Sequence, residues 1–154
     1  MTRKSFAVLV AGLAAVAVLA TVAPAAAAPR EIKITATDQM QYSVKKIDAK
    51  PGEELKILLT VVSAVPKTEM SHNWILLAKA ANPDAFVMAA AMARATEYIP
   101  AAKKDQILAN TKLAGGGETV EVTFKAPSEP GNYTYLCSFP GHYASGMKGV
   151  LTVQ

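Results

Sequence analysis

Hydrophobic and polar residues alternate along much of the chain with a period of two, which is the pattern of half-buried β-strands. The alternation is clearest in residues 31–36 (EIKITA) and 118–125 (ETVEVTFK), and it is weaker in 42–47. Further strands are indicated at residues 55–62, 72–78, 131–137 and 148–153. Short strands at these intervals, separated by turn residues such as Pro51-Gly52, predict an all-β protein of the sandwich type.

One segment, from residue 82 to about residue 110, interrupts the strand pattern. Asn82-Pro83-Asp84 supplies an N-cap, a proline at the first helical position and an acid in the first turn. Ala-rich sequence with Phe86 follows, and Ile99-Pro100 ends it. These features predict a helical insertion within the sandwich, after which Gly115-Gly116-Gly117 marks the return to strand.

The chain begins with a processing signal. Arg3 and Lys4 precede a stretch from residue 6 to residue 28 that has no charged side chain and ends in the small residues Ala25-Ala26-Ala27. This pattern predicts a secretory signal peptide at residues 1–28, with an uncleaved membrane anchor as the alternative because about 20 apolar residues can span a bilayer. Residues 29–154 are then a single exported domain in the periplasm. This domain would be attached to the membrane only if the leader is not cleaved.

Composition and charge exclude several functions. Loss of Arg3 and Lys4 with the leader reduces the net charge of +4 to +2, which is too small to indicate nucleic-acid binding. A single Cys excludes an internal disulfide framework and a Cys-x-x-Cys redox pair. A Gly-rich loop followed by Lys-Ser or Lys-Thr is missing, which makes a P-loop nucleotide site a poor explanation of this sequence.

The last third of the chain contains the soft or borderline metal ligands Cys137, His142 and Met147. Pro140-Gly141 turns the chain between Cys137 and His142, so that both side chains can face one point. The chain has one Cys and two His in all, and the other histidine, His72, lies at the start of a predicted strand.

A thiolate, two imidazoles and a thioether favour copper, and a trigonal His-His-Cys set with a long axial Met is the arrangement of electron-transfer copper sites. Each residue also has an ordinary explanation: Cys137 as a small core residue, or His72 beside Trp74 as a hydrogen-bonded interior histidine. Together, in an exported chain whose lone Cys needs an explanation, they predict one redox-active copper site. Such a site needs no open coordination position, which argues against an enzyme.

Four segments of the chain resemble the cupredoxin family, and within it the azurins and auracyanins. They are residues 38–42 (DQMQY), 70–74 (MSHNW), 111–118 (TKLAGGGE) and 137–149, where Cys-x-Phe-Pro-Gly-His is followed by Met-x-Gly. The resemblance covers nearly all of residues 29–154. It implies a Greek-key β-sandwich of about eight strands with a helical flap, in agreement with the insertion that begins at Asn82.

The resemblance also implies a type 1 (blue) copper centre, with His72, Cys137 and His142 as equatorial ligands and Met147 as the axial ligand. The implied function is that of an electron carrier, not an enzyme, which shuttles single electrons by cycling between Cu(I) and Cu(II). The chain departs from the azurins in having four residues between His142 and Met147 instead of three, and Ser71 in place of a Gly. These departures favour an auracyanin-like relative.

By the same resemblance, Asn73 joins the two ligand segments by hydrogen bonds. Ser71 takes the place of the azurin Gly whose carbonyl lies near the copper, and it is expected beside the ligands without being counted as one. An apolar docking patch surrounds the edge of His142, and its residues are Met40, Met70, Phe139 and Pro140. The expected partners are redox proteins, either a c-type cytochrome or a membrane or periplasmic oxidoreductase.

Three other functions stay open. A fragment of a copper oxidase or nitrite reductase would need a second copper with open coordination, although both histidines are already used. A copper-handling or chaperone protein of the periplasm would use exposed, exchangeable Met or His ligands. A structural zinc site would use the same residues without redox chemistry.

Overall fold

The computed structural model describes residues 28–154. The predicted signal peptide, residues 1–28, therefore lies outside the described residues except for Ala28. Within residues 28–154, none of the helices is long and apolar enough to cross a membrane.

Strands in two sheets dominate the described region. In chain order they are β1 (Arg30–Thr37), β2 (Gln41–Tyr42), β3 (Lys46–Ala49), β4 (Glu54–Val62), β5 (Ile75–Leu77), β6 (Ile107–Asn110), β7 (Thr119–Lys125), β8 (Gly131–Leu136) and β9 (Lys148–Val153). The first sheet has the order β2-β1-β4-β7 and the second the order β3-β9-β8-β5-β6. Neighbours are antiparallel except for the parallel pairs β1/β4 and β3/β9. The predicted all-β sandwich is confirmed.

One hydrophobic core joins the two sheets. Every second residue of β4 from Leu55 to Val61 is at most 1% exposed. These residues share a cluster with Tyr135 of β8 and with Trp74, whose ring centroid lies 5.3 Å from that of Tyr135 and 5.6 Å from that of Phe124. Burial of each large apolar side chain contributes about 1.5–3 kcal/mol, so this core is the main source of stability.

The weak strand predicted at residues 42–47 is two strands in different sheets. β2 pairs with β1 in the first sheet, and β3 pairs with β9 in the second. Between them, the Ser43 N–H still donates to the Thr35 carbonyl (2.9 Å), whereas the Lys45 carbonyl already accepts from the Val150 N–H (2.9 Å). The alternation changes phase at this crossing, because Lys45 and Lys46 are both exposed and the buried positions pass from Tyr42 to Ile47 and Ala49. Two successive polar residues are therefore the sequence signal that one strand ends and another begins.

The helical insertion is shorter than predicted. Helix α1 covers Pro83–Ala91, and the Asn82 side chain accepts a bond from the Ala85 N–H (3.0 Å), as its position before Pro83 predicts. Two 3-10 turns follow, at Arg94–Thr96 and Ala101–Gln106. Residues 107–110 are β6 and pair with β5, because tertiary pairing overrides local helix propensity.

Strand β5 is also shorter than the predicted strand at residues 72–78. The Trp74 N–H donates to the side chain of Thr111 (3.0 Å) instead of to a neighbouring strand. His72 forms an isolated antiparallel bridge with Ala114, with backbone bonds of 2.8 Å in both directions. The backbone of His72 is therefore held at the end of the second sheet, outside its regular ladder.

Gly149 allows the close approach of Tyr135, its partner in the β8/β9 ladder. A Cβ atom at Gly149 would contact the Tyr135 ring and lie 2.6 Å from the Lys45 carbonyl oxygen. We expect Gly149→Ala to lower the free energy of unfolding by about 3 kcal/mol, because the ring must move and its hydrogen bond to the Val44 carbonyl (2.8 Å) breaks. Urea denaturation of the metal-free protein measures the loss.

Gly52→Ala is the matched control. Gly52 has φ +72, but a Cβ atom there meets no other atom within 4 Å. Backbone strain alone should cost about 1 kcal/mol. Equal losses for the two variants would contradict the steric explanation for Gly149.

Candidate metal centre

Three neighbouring strands of the second sheet bring the candidate ligands to one end of the sandwich. The strands run in the order β9-β8-β5, and β8 is antiparallel to both neighbours. Cys137 directly follows β8, His72 precedes β5, and His142 and Met147 precede β9. Because the end of β8 lies beside the starts of its neighbours, residues distant in sequence meet at this edge.

His72, Cys137 and His142 direct one ligand atom each into a common space, where these atoms lie within 4.8 Å of one another. The Cys137 Sγ is 3.5 Å from the His142 Nδ1, and the two imidazole centroids are 4.8 Å apart. With bonds of about 2.0 Å to nitrogen and 2.3 Å to sulfur, a trigonal ion would hold N and S about 3.7 Å apart. The separations therefore suit a single coordinated ion.

The environment of His72 fits a metal ligand. Its Nδ1 and Nε2 atoms are buried, and neither has a hydrogen-bond partner among the described residues. An unpaired buried polar atom costs about 1–3 kcal/mol, and interior histidines normally avoid this cost. A metal ion bound to one nitrogen would supply the missing partner, so this ring does not fit the alternative of a hydrogen-bonded interior histidine.

Burial also sets the protonation of the three groups. Desolvation lowers the pKa of His72 to about 4, although the charge of Asp38 opposes this shift. Desolvation also lowers the pKa of His142 to about 4, with a further contribution from His72. Desolvation raises the pKa of Cys137 to about 12, although hydrogen bonds from backbone N–H groups at Asn73 and Phe139 oppose this. The metal-free site therefore holds neutral imidazoles and a thiol that loses its proton when a metal binds.

Met147 lies in the same loop as His142 and is completely buried. Its N–H donates to the His142 carbonyl (3.0 Å), and its own carbonyl accepts from the Cys137 N–H (3.1 Å). The backbone of Met147 is therefore tied to both of these residues.

Asn73 joins the segment of His72 to the segment of Cys137. Its Nδ2 donates to the Ser138 hydroxyl (2.8 Å), and its Oδ1 accepts from the Ser138 N–H (2.9 Å). Ser71, on the other side of His72, is buried, and its hydroxyl donates to the Lys67 carbonyl. The Ser71 side chain therefore closes the turn that precedes His72.

The residues of the predicted docking patch occupy different environments. Phe139 lies against His142, with ring centroids 4.7 Å apart, and Pro140 beside it is exposed. Met40 is partly buried and packs against the main core. Met70 is also partly buried and lies at a turn, where its N–H donates to the Pro66 carbonyl (2.9 Å).

Sequence reasoning missed three residues that support the site. Ala114 forms the bridge with His72, the Tyr42 hydroxyl donates to the Asn73 carbonyl, and the Tyr98 ring packs edge-on against Phe139 at 5.0 Å. Ala114 acts through its backbone, so its side-chain type carries no signal. The available hints were the aromatic character of the other two and the position of Tyr42 and Ala114 in segments that resemble the cupredoxins.

Comparison with known proteins identifies the family. Residues 29–154 match the family described as copper binding proteins, plastocyanin/azurin family. Azurin of Achromobacter denitrificans is 36% identical over 134 residues, which cover 85% of this chain and 89% of that protein. Auracyanin-B of Chloroflexus aurantiacus is 42% identical over 85 residues, which cover 54% of this chain and 36% of that protein.

Solved structures agree with this result. Auracyanin A, a "blue" copper protein of Chloroflexus aurantiacus, has a TM-score of 0.71 at 35% identity and covers 82% of this chain and 100% of its own. An azurin of Methylomonas sp. strain J has a TM-score of 0.71 at 32% identity, with 82% and 99% covered. Since the auracyanin and the azurin structures have the same TM-score, the preference for the auracyanins stays a prediction. Fold, ligand group and matches agree that the chain belongs to the plastocyanin/azurin family of copper-binding proteins.

Proposed function

We propose that the protein is an exported carrier that passes single electrons between redox partners and has no catalytic activity of its own. His72, Cys137 and His142 would hold one type 1 copper ion, with Met147 as the axial ligand. When bound, the ion supplies a one-electron couple between Cu(I) and Cu(II). The observation that carries this proposal is the buried thiol with two neutral imidazoles within 4.8 Å, in a chain of a copper-binding family.

Backbone hydrogen bonds support fast electron transfer, which needs ligands that move little between oxidation states. His72 is bonded in both directions to Ala114, and Met147 is bonded to both His142 and Cys137. The side chains near a metal ligand commonly fix its orientation. Asn73 has this role here, since its paired bonds to Ser138 connect two ligand segments.

The ligand count supports a carrier over an enzyme. The whole chain has one Cys and two His, and all three are in the one group. Catalytic metal sites keep a coordination position open for substrate, and a second copper site would need further histidines. A Cys, two His and an axial Met leave no such position.

The proposed electron exit is the edge of His142. The Phe139 ring covers one side of it, and Tyr98 supports that ring from the helical insertion. We infer that the docking patch of Met40, Met70, Phe139 and Pro140 meets a c-type cytochrome or a membrane or periplasmic oxidoreductase. Weakly charged apolar surface suits the brief, small-area contacts of redox partners.

The proposed location follows from the amino-terminal sequence. A basic start, an uncharged apolar run and an Ala-rich end at residues 1–28 suit a secretory signal peptide, with residues 29–154 as the single exported domain. An uncleaved leader would instead attach the same domain to the membrane.

Copper handling is the second candidate function, and one observation favours it. Met88 and Met92 of the helical insertion are 74% and 88% exposed, and exposed thioethers are soft ligands from which copper can exchange. The buried group at His72 and Cys137 favours the electron carrier, because a closed site holds its ion.

The colour of the isolated protein tests the copper site. We expect protein purified without added metal to be intensely blue and to bleach with reductant, because a thiolate bound to Cu(II) absorbs strongly. Cys137→Ser should be colourless, while Ser128→Ala, at an exposed position outside the site, should match the wild type. A colourless copper complex of the wild-type protein would contradict the thiolate ligand.

The stability of the metal-free protein should depend on pH. Below pH 6.5 the unfolded chain protonates His72 and His142, whereas the folded chain does so only near pH 4. The contribution of these two histidines to stability should therefore be complete above pH 6.5 and be lost as the pH decreases to about 4. Urea denaturation across this range measures it. His142→Gln removes one of the two groups and should reduce the slope by about half; an unchanged slope would contradict this origin.

Electron exchange with a reduced c-type cytochrome separates the two candidate functions. We expect the copper-loaded protein to oxidise the cytochrome, and Pro140→Glu to slow this about tenfold by placing a charge in the docking patch. Ser128→Glu adds the same charge before β8, far from Cys137, and should leave the rate unchanged. Stopped-flow absorbance gives both rates. Copper transfer without electron exchange would favour the copper-handling function.

A further inference from the structure

We propose that the side chain of Gln41 clamps the loop between His142 and Met147 and thereby fixes the position of the Met147 thioether. This inference rests on the proposed function, because it matters for electron transfer through the axial role of Met147. Gln41 is a positioning residue that acts through the backbone of the loop.

Bonds within the loop hold its apex, residues 143–146. The Ser145 N–H donates to the Gly141 carbonyl (3.1 Å), and the Gly146 N–H donates to the Tyr143 carbonyl (3.0 Å). Ala144 and Ser145 are exposed. Bonds of this kind move with the loop, so they do not fix its apex relative to the sandwich.

Tyr143, at the start of the apex, packs against the apolar cluster that contains Phe86 and Leu136. Gln41 attaches the far side of the apex by a hydrogen bond. Its Nε2 donates to the Ser145 carbonyl at 2.9 Å, across 104 positions of sequence. In the part of the chain that the structure describes, this is the one hydrogen bond that joins the apex to a residue outside positions 137–148. It connects the loop to the first sheet, whereas the ligands themselves lie at the end of the second.

The carboxamide of Gln41 also packs against Gly146. A Cβ atom built on Gly146 would lie 3.2 Å from the Gln41 Nε2, so the amide lies directly against this residue. Gly146 has φ +95 and turns the chain into the buried Met147. A displacement at Gly146 is therefore passed to Met147 through a single peptide unit.

The backbone on both sides of Gln41 is firmly held. Met40 has φ 55, a left-handed conformation that costs free energy in a non-glycine residue and persists where the surroundings enforce it. The Met40 N–H donates to the Thr37 carbonyl (2.9 Å), which closes the turn before Gln41. After it, the hydroxyl of the buried Tyr42 donates to the Asn73 carbonyl.

The Gln41 amide points toward the loop although this leaves one of its polar atoms without a partner. Its Oε1 is buried and has no hydrogen-bond partner, an unfavourable arrangement that a glutamine at the surface avoids by turning to water. The bond from Nε2 to Ser145 therefore determines how the side chain points.

Gln41→Leu tests the clamp, and Gln39→Leu is the matched control. Gln39 lies in the same turn, but it is exposed and its side chain accepts a bond from Thr37 (3.1 Å) instead of reaching the loop. In the metal-free protein, we expect amide hydrogen exchange at Gly146 and Met147 to be about fivefold faster in Gln41→Leu and unchanged in the control. If both variants exchange these amide hydrogens at the wild-type rate, Gln41 does not clamp the loop.

The reduction potential of the copper-loaded protein tests the link to Met147. The axial ligand tunes this potential, so we expect Gln41→Leu to shift it, Gln39→Leu to leave it unchanged, and Met147→Gln to lower it. In a Met147→Gln background, Gln41→Leu should have no further effect. Faster loop exchange with an unshifted potential, or an equal shift in both backgrounds, would overturn the proposal.

These measurements test the axial role of Met147 and the clamp by Gln41 separately. An unchanged potential in Met147→Gln alone would remove the axial role of Met147, and the hydrogen-exchange result would still decide whether Gln41 holds the loop. If Gln41→Leu does not fold, Gln41→Ala removes the same donor without adding apolar bulk, and the same outcomes apply.

Discussion

The buried imidazole of His72 is the feature on which the rest of the site depends. Both of its nitrogens are shielded from water and neither finds a partner in the described protein, which is unfavourable in any folded chain. The fold tolerates the arrangement because His72 is held by its backbone, through Ala114, and not by its ring. The ring is thus free to bind an ion, and the lowered pKa keeps its lone pair available in neutral solution.

The site lies where the two sheets are joined by polar contacts. Asn73 links two ligand segments of the second sheet, and Tyr42, from the first sheet, donates to its carbonyl. Below them, Trp74 and Tyr135 fill the interior between the sheets. Close-packed interiors resist small displacements, so the position of one sheet over the other helps to determine where the ligands lie.

The sequence predicted features that depend on residue type. The alternation of apolar and polar residues located most strands, and Asn82-Pro83 located the start of the helix. Treating the one Cys and the two His of the chain as a single ligand set located the metal group. Features that depend on backbone pairing were missed. The strand β6 is composed of residues that also suit a helix, and the contact of Gln41 with Ser145 uses a carbonyl that any residue would supply.

The complete burial of Cys137 has a consequence for the lifetime of the protein. As the lone cysteine it has no internal partner, and while the chain is folded its side chain is shielded from solvent and from the thiols of other molecules. Unfolding in an oxidising medium exposes a single reactive thiol, which can couple to the same atom of another copy. The resulting disulfide traps the unfolded chain covalently and prevents refolding. The lifetime of the protein is therefore governed by the rate at which it unfolds.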